Sequence, residues 1–395
     1  MKVLIALASS SGQLSGVQRH AISLARCLLL RREITAVHLV AAPWQHGFVR
    51  DSAPVGDVRL HLHNAPIGNS ALSRNRWYFF HLPQLAKDLG CDVVHLAYPM
   101  PVIRRAFHCP VVVTLHDLYP YDIPDNFGFP KVLFNRFALC ICLNAANAIT
   151  CVSRYTLSRL EELQPALVSA KSLVIYNSVE PPKIPPTGIS PPQWKDQPFL
   201  LCVAQHRRNK NIALALRVFE ALLRTQRLAL ETRLVIVGIP GPETSAIEQF
   251  VSTAGLKQNV VFLNGVSDSL LHWFYRNCLL LLAPSTIEGF GLPVAEALQA
   301  GCPIVCSDIS AFRELGGDYC HYVELGPKEA EGFADAVCAV ADQGPREPVA
   351  MRHLSAEVIS AQYLKLYSSL LSAPDVQASL PEKPVLSSPE RHFPT

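Results

Sequence analysis

Short apolar runs alternate with amphipathic stretches along most of the chain. KVLIALA (2–8) is uniformly apolar after Lys2, the pattern of a strand buried on both faces. Further strand candidates follow at 34–41 (ITAVHLVA), 57–62, 92–96 (DVVHL), 110–115 (PVVVTL), 148–153 (AITCVS) and 172–179 (SLVIYNSV). Between these runs, periodicity predicts helices over 17–30, 76–89, 131–147 and 154–163, the last capped by Ser153. A second series begins at FLLCVA (199–204) and continues through RLVIVG (233–238), VVFL (260–263), CLLLLA (278–283) and CPIVCS (302–307). Its helices are predicted over 212–224, 243–254 and 269–276. A further helix opens at Pro293, the residue suited to a first helical position, and ends at Gly301. Helices over 328–342 and 347–371 follow. Strands alternating with helices imply an α/β chain with a parallel, doubly wound sheet in each half.

Residues 181–198, PPKIPPTGISPPQWKDQP, hold seven prolines and read as a stiff linker. The division is then a first domain over 1–180, a second over 199–346, and a C-terminal helix over 347–372 with the first domain as a candidate partner. A tail over 373–395, with five prolines, has the composition of a disordered segment.

Composition narrows the class. With 395 residues, 49% of them apolar and only 17% charged, the chain supports two buried cores. A net charge of +3 is too small to suggest a nucleic-acid partner. The charge is uneven: residues 1–180 carry 17 Lys and Arg against 11 Asp and Glu. That excess suits an anionic surface or substrate, or is ordinary fluctuation. The 12 cysteines form no C-x-x-C pair, and most lie inside apolar runs, as small core residues in a reducing compartment do. The opening apolar run is short for a signal peptide, and no run approaches the roughly 18 residues of a membrane span. A cytoplasmic protein, at most peripheral to a membrane, is expected. The arginines at 19, 26, 31 and 32, together with 131–147, are candidates for a membrane contact, with ordinary helix packing as the alternative.

Two open α/β domains leave a cleft at the carboxyl ends of their strands, the natural ligand site. Several features should face it. SSSGQLSGVQRH places Gly12 and Gly16 between a strand and a helix, without the dinucleotide fingerprint. QHRRNKN puts Arg207, Arg208 and Lys210 on one tight loop, suited to a phosphate or diphosphate, or simply solvated. Gly238 ends a strand where close approach of a ligand would need no side chain. EGFGLPVAE sets Glu288 in a glycine loop and Glu296 in the first turn of a helix whose N-terminus favours anions, where a carboxylate also serves as a plain cap. His116 and Asp117 close a strand, either as a working pair or as a satisfied hydrogen-bond pair.

In combination these features are specific. APSTIEGFGLPVAEALQAGCPIVCSDISAFREL (283–315) resembles the E-x7-E signature of retaining glycosyltransferases of family 4, group 1, with the GT-B fold. SGVQRHAISLARCL, HDL at 116–118, ITCVSRYTLSRL, VIYNSVEP and VAQHRRNKNIALAL fall in the order of that family's landmarks, and the resemblance spans about residues 1–370. It implies two Rossmann-like domains around a central cleft and a nucleoside-diphosphate sugar donor. Glu296 would bind the ribose. Glu288, with the amides of Phe290, Gly291 and Leu292, would hold the sugar and phosphates. Arg207 and Lys210 would neutralise the diphosphate without a metal, with Arg208 a rival for the first role. Gly16 and Gly12 would approach the diphosphate from the first domain, and Gly238 from the second. His116 would sit at the reacting centre, oriented by Asp117. One departure is that the Arg many relatives carry six residues before the loop Lys is Ala204 here. The resemblance implies hexosyl transfer with retention to a glycan or lipid-linked acceptor, in polysaccharide or surface-glycan synthesis. The competing readings are a GT-B nucleotide-sugar epimerase and a non-catalytic sugar-nucleotide module. The first does not carry EGFGLP…E with HDL, and the second is disfavoured because Glu288, His116 and Lys210 are all present.

Overall fold

The computed structural model describes the chain except residues 11, 14, 55, 181–195, 345 and 374–395. Most of the proline-rich linker and nearly all of the tail therefore lie outside the described residues.

The first half forms a seven-stranded parallel sheet. Its strands are β1 (Lys2–Ala6), β2 (Ala36–Ala41), β3 (Leu60–Asn64), β4 (Val93–Leu96), β5 (Val111–Leu115), β6 (Ala148–Cys151) and β7 (Ser172–Val174), in the order β3-β2-β1-β4-β5-β6-β7. The second half adds β8 (Phe199–Val203), β9 (Arg233–Val237), β10 (Val260–Leu263), β11 (Leu280–Ala283), β12 (Ile304–Ser307) and β13 (His321–Val323). They form a six-stranded sheet in the order β10-β9-β8-β11-β12-β13. In both sheets the order reverses beside the first strand, which opens the crevice where such folds bind ligands.

Each sheet is covered on both faces, which is why its central strands are apolar throughout, whereas the edge strand β3 alternates Leu and His. One face of the first sheet (Leu4, Val94, Val113) packs under Trp77, Tyr78, Leu139 and Cys142. The other (Val3, Ile5, Leu39, Val112) packs under the helix Gly16–Leu29 and the final helix Ala356–Ser372. The chain thus leaves the second sheet and ends on the first.

The structure redraws several elements. The expected helix over 347–371 begins only at Ala356, capped by the Ser355 hydroxyl, which accepts from the Val358 N–H. Residues ahead of it include Pro348 and a short 3-10 turn at Arg352–Leu354. The region 310–323, left unassigned by periodicity, forms a helix (Ser310–Gly316) and the edge strand β13. The expected helix over 76–89 is a run of three pieces with a π-helical segment at Trp77–His81. Strand β7 stops at Val174, and the chain then turns inward so that Asn177 is buried. Three of the four arginines on or after the first helix are held internally: Arg19 by Asp268, Arg26 by the Ser52 carbonyl and Arg31 by Ser360.

Candidate active site

The stretch 280–307 is strand, loop, helix, strand. The helix runs Leu292–Ala300, with Gly291 before it in the left-handed region (φ 99°) and Gly301 closing it. Pro293 is its second residue rather than its first. Glu296 is its fifth, one position later than expected.

The loop before this helix is pressed against the first domain. A Cβ on Gly289 would lie 1.8 Å from the His116 carbonyl oxygen, so only glycine fits there. The Gly289 carbonyl in turn accepts from the Ser153 hydroxyl (2.5 Å) and the Thr156 hydroxyl (3.1 Å). Ser153 also caps its own helix, accepting from the Thr156 N–H. Beside this seam, Glu314 of the second domain accepts from the N–H groups of Arg154 (2.8 Å) and Tyr155 (3.1 Å) at the same helix N-terminus. Arg19 crosses the cleft to Asp268 at 2.5 Å, and the space beside Gly16 is bounded by Leu292.

On the second domain's side, β8 ends in the basic loop. Lys210 donates to both oxygens of Glu288, at 2.6 and 2.7 Å. The Glu288 carboxylate is nearly buried and Lys210 is largely so. Asn209 knits the two loops: its carbonyl accepts from the Thr286 N–H (2.8 Å), and its side-chain amide donates to the Ile287 carbonyl and to the Tyr119 hydroxyl. Arg207 is exposed, and its charge reaches the buried carboxyl of Asp117. Arg208 instead turns to Asp125 of the first domain, 3.5 Å away on the surface. Glu296 accepts from the Tyr275 hydroxyl at 2.9 Å. Burial raises its carboxyl, and Arg19 opposes that rise.

His116 has a defined tautomer. Its Nε2 lies 2.8 Å from the Ala97 carbonyl, which can only accept, so Nε2 carries the proton and Nδ1 is a lone-pair acceptor. Burial pushes its imidazolium down to about 4, so the ring is neutral at pH 7. Asp117 is turned to other partners: past the end of β5 at Leu115, its Oδ1 accepts from the Tyr119 N–H at 3.1 Å. Burial raises Asp117 to about 6. What stands behind His116 is a chain of buried hydrogen bonds. The His20 ring meets it edge-on at 4.9 Å; His20 bonds Asn177 (2.7 Å) and Thr114 (3.1 Å). Thr114 bonds His95 (2.8 Å), and His95 bonds Tyr367 of the final helix (2.6 Å).

Of the residues expected at the site, Lys210 meets Glu288, Arg207 acts on Asp117, Leu292 bounds the space beside Gly16, and Glu296 meets Tyr275; the loop that carries Gly291 packs against the His116 backbone. Phe290 turns its ring into the core, 6.3 Å from Tyr176, leaving its backbone to the loop. Gly238 permits a close approach, but to protein: a Cβ there would lie 1.8 Å from the Ala204 carbonyl. Asn209, Tyr119, Tyr275 and Arg19 were not foreseen, because their partners are far off in sequence. Among the described residues no group of three or more His, Cys, Asp or Glu could hold a metal ion.

Two adjoining family models match the chain: Glycosyltransferase Family 4 over residues 14–182 and Glycosyl transferases group 1 over 190–351. The chain belongs to glycosyltransferase family 4. It is 28% identical over 252 residues to the O-antigen chain mannosyltransferase RfbU of Salmonella typhimurium, a match spanning 64% of each protein and so under two-thirds of that relative's length. The structure of WaaG, a glycosyltransferase involved in lipopolysaccharide biosynthesis, superposes with a TM-score of 0.64 at 19% identity, covering 93% of this chain and 97% of WaaG. Anabaena HepE in complex with UDP and glucose superposes at 0.65 with 17% identity, covering 93% of this chain and all of HepE. These likenesses establish the GT-B fold of this family 4 member.

Two outcomes follow from the geometry. Gly289→Ala should lower transfer about 100-fold, because the loop must move off His116 by more than an ångström; steady-state rates with the parent's donor check this, and a rate within a few-fold would deny the contact its role. The second concerns acid. His95 and His116 titrate at about 3 and about 4 in the fold against 6.5 when unfolded, so the unfolded state binds more protons in between. Stability is therefore full above about pH 6.5 and falls as pH drops towards 4. Thermal unfolding across that range should show a steady loss of Tm, and a flat profile would contradict neutral buried imidazoles.

Proposed function

We propose that this protein is a retaining, metal-independent glycosyltransferase that moves a hexosyl unit from a nucleoside-diphosphate sugar to a glycan or lipid-linked acceptor. The observation that carries the reading is the Lys210–Glu288 pair, held just before the N-terminus of the Leu292–Ala300 helix on a loop that packs against the His116 backbone. The helix N-terminus, Lys210 and Arg207 supply positive potential for a diphosphate without an ion. Glu288 and the His116 Nδ1 are acceptors for sugar hydroxyls, and Glu296 takes the ribose. Because His116 is neutral with its proton committed to Ala97, it positions the sugar rather than protonating the leaving group.

In the reaction the bond from the anomeric carbon to the diphosphate oxygen breaks. The acceptor oxygen bonds that carbon on the same face, and its proton passes to the departing phosphate oxygen. The residues contribute positioning and charge stabilisation. A mannose-, glucose- or galactose-like unit suits the reading. The name of RfbU points to mannose and to a surface glycan, and the nucleotide of HepE to a uridine or similar diphosphate.

A panel of nucleotide sugars tests the proposal. One donor should raise the Tm and be slowly hydrolysed equally well with and without EDTA; loss of activity in EDTA would remove the metal-independent mechanism. Lys210→Ala should lower kcat/KM by about 10²–10³, the effect of losing one preorganised electrostatic donor, compounded by the unpaired Glu288. A variant within a few-fold of the parent would take Lys210 out of the site.

A further inference from the structure

The layer over one face of the first sheet exposes an unusual set of side chains. On the helix Lys131–Ala145 and just before it, Phe129, Leu133, Phe134 and Phe137 are 83, 51, 69 and 66% exposed. Leu133 and Phe137 stand four residues apart on one helical stripe, and Phe129 and Phe134 are exposed beside it. The neighbouring segment exposes Leu72 at 80% and Phe80 at 65%, and the β4–β5 connection exposes Ile103 at 45%. These three segments adjoin: Trp77, Tyr78, Met100, Val102, Leu139 and Cys142 share one core beneath them. Seven of the 14 large apolar side chains exposed among the described residues therefore lie on this one layer.

Charge follows the same boundary. Residues 71–81, 97–110 and 126–147 contain no Asp or Glu. They hold six cations, of which Arg76, Arg105 and Lys131 are exposed beside the apolar positions. Exposed phenylalanines interleaved with unopposed cations are the makeup of a surface that enters the headgroup region of an anionic bilayer. No helix of the described residues is long and apolar enough to cross a membrane, so such a surface would lie on it.

We propose that this layer is a docking surface for an anionic phospholipid membrane. The phenyl rings enter the acyl boundary, and Arg76, Arg105 and Lys131 meet the phosphates. The surface is tied to the cleft. Arg136 of the same helix donates to the Pro120 carbonyl (2.8 Å) and lies over the Tyr121 ring (4.8 Å), in the segment that continues from His116 and Asp117. A docked molecule would thus present its cleft close to the bilayer, where a lipid-linked acceptor resides. The docking itself does not depend on the transferase reading.

Co-sedimentation with vesicles tests it. The full chain should sediment with vesicles containing about one-third phosphatidylglycerol, release in high salt, and bind pure phosphatidylcholine weakly. F129S/F134S/F137S should reduce partitioning about tenfold or more. Its far-UV circular dichroism and Tm should be unchanged, because these rings are largely solvent-exposed. R105E/K131E should weaken binding to anionic vesicles only. Hydrolysis of free donor, which needs no membrane, should survive in both variants. Absence of binding to anionic vesicles, or equal binding by the triple variant, would overturn the proposal. So would a parent dimer that the triple variant dissociates, since a second copy would then be the occupant.

Discussion

The site depends on one backbone contact, between Gly289 and the His116 carbonyl. Loops from the two sheets meet there with no side chain between them. A glycosyltransferase of this fold has to bring groups from two domains to a single sugar, and each added atom at the seam moves them apart. The contact is secured by hydroxyls of the first domain, Ser153 and Thr156, that take up the Gly289 carbonyl. It is flanked by Glu314 at the adjoining helix N-terminus. Exclusion of side chains at the centre and hydrogen bonds around it set the loop's position, and the loop sets Glu288.

Electrostatics then divides the cleft by domain. The second domain brings the paired Lys210 and Glu288, together with the N-terminus of a helix. Breaking such a buried pair strands a charge, so the two are held as a unit until a ligand supplies replacement contacts. The first domain brings a neutral imidazole. Burial keeps His116 uncharged, and Ala97 fixes which nitrogen bears the proton. A neutral acceptor and a salt-bridged carboxylate both suit uncharged hydroxyls, while the cations on the basic loop suit a diphosphate.

Much of this was legible from pattern alone. VVVTL and FLLCV could only be buried strands, and the helix Ile212–Arg224 ends where its apolar periodicity ends. The loop carrying Glu288 was legible because glycine, proline and acid fall together within nine residues. What escaped was set by distance or by short elements. HYV is too brief to announce an edge strand. Lys210 and Glu288 are 78 positions apart, and nothing local couples them. Asp117 misled because adjacency in sequence suggests a pair, whereas its carboxylate accepts from the Tyr119 N–H in the turn after the strand. Gly238 misled in the other direction: its missing side chain makes room for Ala204 rather than for a ligand.

The final helix shows why the two domains have to be considered together. Tyr367 lies 272 positions from His95 in sequence, yet bonds it at 2.6 Å. From there the chain of bonds runs through Thr114 to His20, whose ring abuts His116. Desolvation lowers the affinity of the three imidazoles, His20, His95 and His116, for protons. A network of neutral groups, each committed to a partner, leaves few alternative ring orientations. The helix that supplies Tyr367 follows the second sheet in sequence but forms part of the first domain's core. The chain therefore crosses between domains twice, and its second crossing supplies the outer end of the network that fixes His116.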